Sequence, residues 1–150
     1  MPLIPDKDRE FLRGHFQEHL KDSVEVVYFT QGESGLSVPG HECTFCRETR
    51  ELLEELAGLS DRIRLQVYDL LGQADRAKEL GVDMIPATVI RGQVRGRMRY
   101  FGAPSGYEFP ALVEGFIDAS TGTTSLPPPA KQSLAQVQND VHIKVFVTPT

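Results

Sequence analysis

The chain has 150 residues, enough for one domain of ordinary size that buries roughly 70% of the surface its unfolded form exposes, so no disulfide or metal is required to hold it together. Its 40% hydrophobic and 25% charged residues are globular values, and 16 basic against 21 acidic side chains give a net charge of -5, which argues against a nucleic-acid partner. The opening MPLIPDKDRE turns charged too early for a signal peptide, and no apolar run approaches the ~20 residues of a membrane helix, so a soluble cytoplasmic protein without membrane contact is expected.

In chain order, residues 6–20 (DKDREFLRGHFQEHL) place Phe11, Leu12, His15, Phe16, His19 and Leu20 at helical spacing behind an acidic first turn, which predicts an amphipathic helix. VEVVYFT at 24–30 is β-branched and aromatic and reads as a buried strand; the glycine- and serine-rich stretch that follows, up to residue 42, reads as loop. Helical periodicity resumes after Cys43, with Leu52, Leu53, Leu56 and Leu59 on the apolar face. IRLQVYDL at 63–70 predicts a second strand and QADRAKELGV a short helix closed by Gly81. ATVIRG and GRMRYFG predict two strands joined by a turn, the arginines of RGQVRGRMR lying on a solvated edge hairpin. GYEFPALVEGFIDA predicts a closing helix, with Pro110 as its weak point. Strand, helix, strand near the start implies a parallel βαβ unit, and the late hairpin adds antiparallel strands to a mixed sheet.

Residues 120–130 (STGTTSLPPPA) have the composition of a linker that three prolines should hold extended. A short helix and a strand, VHIKVFV, are expected beyond it. VYFT at 27–30 and VFVT at 145–148 match in kind at an offset of 118 residues (148 minus 30), close to one domain length, as a second copy of the same unit would give, or as any two apolar strands would.

Cys43 and Cys46 are the two cysteines of the chain. A thiol pair at C-x-x-C spacing in a cytosolic protein reads as redox-active or metal-binding before it reads as a structural staple. After a strand and a loop, at the start of a helix, Cys43 would lie beside unpaired N–H groups and the positive end of the dipole, which stabilises a thiolate. Cys46, one turn along, is placed to attack a mixed disulfide on Cys43. Arg47 and His41 favour the thiolate; Glu42 and Glu48 oppose it. His15 and His19, four residues apart, together with the two cysteines form an alternative zinc set, and inert thiols are a third reading. Pro86, in DMIPATVI, cannot donate a backbone hydrogen bond, and its bond to Ile85 can be cis at modest cost. It would leave the neighbouring backbone free for an extended substrate chain, or simply start a strand.

A C-x-x-C at a helix start followed by IPAT before a strand resembles the thioredoxin superfamily. The wider pattern, LIPDKDREFL, CTFC, IPAT, RYFGAPSGYEF and VHIKVFVTPT, resembles the glutaredoxin-like protein disulfide oxidoreductases, which carry two tandem thioredoxin-fold units, each with its own C-x-x-C. The resemblance implies an α/β thioredoxin fold over residues 1–119, a linker over 120–130, and the first helix and strand of a truncated second unit over 131–150. It implies Cys43 as the exposed nucleophile, Cys46 as the resolving thiol, Thr44 and Phe45 as substrate contacts between them, Pro86 as the family's cis-proline and Ile85 as the residue that pairs with substrate. Implied partners are proteins bearing disulfides or dithiols and a thioredoxin-reductase-like flavoprotein as electron donor, with no bound cofactor; a free strand at 141–148 would further allow pairing with another copy. Two departures stand out: twelve residues (31–42) separate Thr30 from Cys43, where relatives run almost straight into the motif, and Glu42 stands where thioredoxins proper have tryptophan. The reading from another class is a non-catalytic docking module whose cysteines are idle or hold zinc.

Overall fold

A computed structural model describes residues 2–32 and 43–148. The long loop over 31–42, which includes His41 and Glu42, lies outside the described residues except for Gln31 and Gly32.

Among the described residues nine elements follow one another: α1 (Asp6–His19), β1 (Val24–Thr30), α2 (Cys46–Ala57), β2 (Ile63–Asp69), α3 (Ala74–Leu80), β3 (Ala87–Arg91), β4 (Met98–Phe101), α4 (Glu108–Thr121) and α5 (Pro128–Ala135). The four strands form one sheet in the order β2-β1-β3-β4. β1 and β2 are parallel, with Thr30 opposite Asp69, while β3 runs antiparallel to both β1 and β4. This is the mixed sheet expected from the order of elements.

Each face of the sheet carries its own core. Val24, Val26 and Tyr28 of β1 pack with Leu12 and Phe16 of α1, Leu53 and Leu56 of α2, and Leu112 and Phe116 of α4. Val27 and Phe29 point the other way, onto Ala77 and Leu80 of α3 and Val89 of β3. A central strand covered on both sides has no wet face, which is why VEVVYFT reads as an almost unbroken apolar run rather than an alternation. Gly81 ends α3 in the left-handed conformation, φ 70°, which a side chain would resist.

Three details differ from the sequence reading. Phe11 is 68% exposed although it belongs to the expected stripe of α1, because Leu12, Phe16 and Leu20 already fill the core-facing row at four-residue spacing. The proline run does not extend a linker to residue 130: Pro127 caps α5, and Pro128 and Pro129 occupy its first turn, where a missing N–H costs nothing. Pro110 sits equally well in the first turn of α4. Residues 141–148, expected as a strand, form no element and pair with no strand among the described residues; Val141, Ile143, Val145, Phe146 and Val147 are all exposed. Apolar alternation specifies a strand only where a neighbour takes its backbone groups.

The two ends of the fold are pinned by one hydroxyl. Ser120, fully buried near the end of α4, accepts from the backbone N–H of Lys21 (2.8 Å) and Asp22 (2.9 Å) through Oγ and donates to the Asp22 carbonyl (2.7 Å). These bonds hold the α1–β1 turn, 98 residues away, against α4. Ser120→Ala leaves these part-buried backbone groups without the hydroxyl and should cost about 1–3 kcal/mol. With no tryptophan in the chain, urea unfolding followed by circular dichroism is the suitable measurement; a midpoint unchanged within error would refute the clamp.

Candidate functional site

Three strand ends and one strand start meet at a single edge of the sheet. Because β1 and β2 are parallel and β3 opposes them, Thr30, Asp69 and Phe101 finish there and Ala87 begins there, with Phe29 opposite Ala87 and Ala87 opposite Phe101. The residues just past these ends are therefore neighbours whatever their distance in sequence. Gln31, immediately after β1, accepts a hydrogen bond from the Cys43 backbone N–H through its side-chain oxygen (3.0 Å), which ties the start of the C-x-x-C to that edge. Pro86, immediately before β3, is buried, follows a cis peptide bond from Ile85, and accepts from the Gly102 N–H at 2.9 Å.

Cys43 and Cys46 are joined as a disulfide, with an S–S distance of 2.00 Å and Cα atoms 5.5 Å apart. The helix starts later than its motif suggests: Cys43 and Thr44 belong to a turn, Phe45 is the N-cap and Cys46 is the first residue of α2. The Cys46 N–H reaches back to the Cys43 carbonyl (3.5 Å), and the Thr49 N–H to that of Phe45 (3.0 Å). No described side chain caps this N-terminus, so its positive end is left to act on the disulfide turn. The two cysteines differ in environment: Cys43 is half-buried, Cys46 is 5% exposed, and between them Thr44 and Phe45 are exposed. Ile85 is half-buried and Met84 beside it exposed. Arg47, expected to favour a thiolate, turns into solvent and approaches Glu51 at 3.9 Å, so its charge is spent along the helix surface.

Beneath Cys46 lies a group that the sequence did not single out. Tyr28 is fully buried and its hydroxyl donates to the Cys46 carbonyl at 2.7 Å. Burial pushes its pKa up to about 12, with the hydroxyls of Thr30 and Thr49 and the charge of Arg50 pulling the other way. In the sequence Tyr28 looked like one more apolar strand residue; its phase in β1, shared with Val24 and Val26, was the available signal that it faces α2.

His15 and His19, the other half of the zinc set, pack against each other on α1 with ring centres 4.4 Å apart, and the His19 ring is bonded to the His15 carbonyl at 2.9 Å. Among the described residues no group of three or more His, Cys, Asp or Glu side chains is placed to hold a metal ion. No described helix is long and apolar enough to cross a membrane.

A protein disulfide oxidoreductase from Aeropyrum pernix superimposes with a TM-score of 0.77 at 28% identity, over 97% of this chain and 60% of that one. The chain has the thioredoxin fold. An alkylhydroperoxide reductase component from Enterococcus faecalis, AhpF, is similar in fold, with a TM-score of 0.70 at 19% identity over 89% of this chain and 60% of that one. A separate structure of the N-terminal domain of AhpF gives 0.69 at 19% identity, over 87% of this chain and 59% of that one. This thioredoxin-fold chain thus spans about 60% of the length of these structures, and no family model or curated protein matches it.

The raised pKa of Tyr28 has a consequence for stability. The folded state holds the hydroxyl neutral up to about pH 12, whereas the unfolded chain ionises near 10, so this contribution is fully present below pH 10 and is lost as pH rises from there to about 12. The urea midpoint should fall across that window, and Tyr28→Phe should flatten the part of the fall due to this group. Parallel curves for the two proteins would refute the assignment.

Proposed function

We propose that the chain is a thiol-disulfide oxidoreductase unit working through a Cys43/Cys46 dithiol-disulfide cycle. The observation that carries this reading is the asymmetry of the bonded pair: one sulfur half-exposed in a turn, the other buried at the first position of a 12-residue helix. In the reducing direction the Cys43 thiolate attacks a substrate disulfide, forming a mixed disulfide and expelling one substrate thiolate, which takes up a proton. Cys46 then gives up its proton and attacks the Cys43 sulfur; the Cys43–substrate bond breaks and the second substrate sulfur leaves, to be protonated in turn. Two electrons pass from the protein to the substrate, and the same steps reversed transfer a disulfide outward. The uncapped helix N-terminus lowers the cost of the Cys43 thiolate, while Glu48 in the first turn raises it.

Substrate binding follows from what surrounds the sulfurs. Thr44 and Phe45 form the exposed lip of the turn, and Ile85 ahead of Pro86 offers backbone to an extended chain at the same sheet edge. This arrangement fits proteins bearing disulfides or dithiols as substrates; a thioredoxin-reductase-like flavoprotein as electron donor and a cytoplasmic location complete the proposal. The docking-module alternative, with idle or zinc-bound cysteines, has no observation in its favour. Since the similar proteins are longer, we take residues 1–119 as one unit, the stretch from 120 to Pro127 as the link, and α5 with the residues after it as the start of a second. The exposed apolar segment 141–147 is then the part that pairs with further sheet, including that of another copy.

Insulin reduction with dithiothreitol as electron donor tests the cycle. Cys43→Ser should abolish turnover, and Cys46→Ser should accumulate a mixed disulfide through Cys43 that is visible by mass spectrometry. Full activity in the Cys43→Ser protein would sink the mechanism.

A further inference from the structure

Thr49 and Tyr28 are polar groups in the interior that the cycle above does not use. Thr49 is 1% exposed and near enough to Tyr28 to act on its ionisation, yet its hydroxyl meets no partner at hydrogen-bond geometry among the described residues while the disulfide is closed. It stands three residues after Cys46 on α2, so the two share a helix face, and helical side chains lean toward the N-terminus, which directs Thr49 toward the turn that holds Cys46. Tyr28 approaches the same place from the sheet, with its hydroxyl on the Cys46 carbonyl. A buried hydroxyl left without a partner is destabilising; Thr88 of β3 is a second one, but of the two only Thr49 stands on the helix that holds Cys46, where reduction would supply an acceptor.

We propose that Thr49 and Tyr28 are positioning residues for Cys46: the Thr49 hydroxyl bonds the Cys46 sulfur once the disulfide is reduced, and Tyr28 holds that residue at the head of α2. The inference rests on the oxidoreductase reading and extends it to the resolving step. In the disulfide both sulfurs are uncharged and bonded, and so are weak acceptors for the Thr49 hydroxyl. Reduction brings two electrons and two protons and leaves Cys46 as a buried thiol, which burial alone makes reluctant to ionise. Resolution needs its thiolate. A hydroxyl donating to that sulfur favours the charged form, so Thr49 makes proton loss easier at the moment Cys46 must attack Cys43. Tyr28, kept neutral by burial, remains a donor to the carbonyl throughout.

The charged and titratable groups on the surrounding elements are Arg47, Glu48 and Arg50 on α2, Asp69 at the end of β2, and Asp8, His15 and Glu114, which share with Glu48 and Thr49 a groove of about 850 Å³ between α1, α2 and α4. All of them are retained in the variants below, so a change in Cys46 reports the hydroxyl.

The test is the alkylation rate of Cys46 against pH in reduced Cys43→Ser protein, with the site confirmed by mass spectrometry. Thr49→Val, close in shape but without the hydroxyl, should raise the midpoint by about one pH unit, a roughly tenfold loss of rate below it, and Thr49→Ser should restore it. Should the valine variant not fold, Thr49→Ala serves in its place. With Cys43 present, Tyr28→Phe should slow decay of the mixed disulfide several-fold while leaving its formation unchanged. An unshifted midpoint in the folded Thr49 variants overturns the role of Thr49; equal slowing of formation and decay in Tyr28→Phe overturns that of Tyr28. Alkylation requires no turnover, so an inactive wild-type chain with a shifted midpoint would count against the oxidoreductase reading alone.

Discussion

Burial of β1 on both faces is the constraint from which the rest of the structure follows. A strand with no wet side must be central, and a central strand fixes what can lie beside it: a parallel partner reached through α2 and an antiparallel one reached through α3. The same strand also sends a polar side chain, Tyr28, deep toward α2, and ends at Thr30 just before the residue that holds Cys43. Core and site are therefore not separate regions of this chain. The residues that make β1 insoluble in water are the ones that set where the sulfurs stand.

The site is assembled from strand ends because backbone groups become free only there. Within the sheet the N–H and C=O groups are committed to neighbours; at the edge where β1 and β2 stop and β3 starts, they are not. A disulfide turn, a proline that removes a donor, and an uncapped helix N-terminus all collect at this edge, and each needs backbone that the ladder has released. The arrangement also separates the two sulfurs in environment. The turn lifts Cys43 toward solvent, and the helix draws Cys46 down against Tyr28, so one backbone transition converts two identical thiols into two different ones.

Much of this was legible in the sequence, and the reasons are specific. The apolar runs of β1 and β3 and the closing Gly81 mark elements whose burial and backbone conformation leave few alternatives. Cys43, Cys46 and Pro86 announce themselves by residue type and spacing. Phe11 was misplaced because a four-residue row was already enough to cover the core, and the pattern could not say where the stripe stopped. The prolines at 127–129 were read for stiffness, whereas their position at a helix start uses their fixed φ instead. The segment at 141–148 shows the limit most plainly: its alternation describes a strand, but pairing is a property of two segments, and only one is written there.

Tyr28 and Thr49 escaped for a different reason. Each is an ordinary residue at an ordinary position, a tyrosine in a strand and a threonine on a helix, and neither spacing nor composition links residues 21 apart (49 minus 28) on different elements. Only the fold shows that both lie at the head of α2, Thr49 on the helix itself and Tyr28 through its hydrogen bond to the Cys46 carbonyl. A hydroxyl in the interior costs least when it is always bonded, and that of Thr49 meets no partner among the described residues while the disulfide is closed. On the proposed cycle, in which the pair alternates between a neutral bond and an ionisable sulfur, the polar demand beneath Cys46 changes with oxidation state. Tyr28 meets the constant part of that demand, through the carbonyl, and Thr49 is positioned to meet the part that appears on reduction.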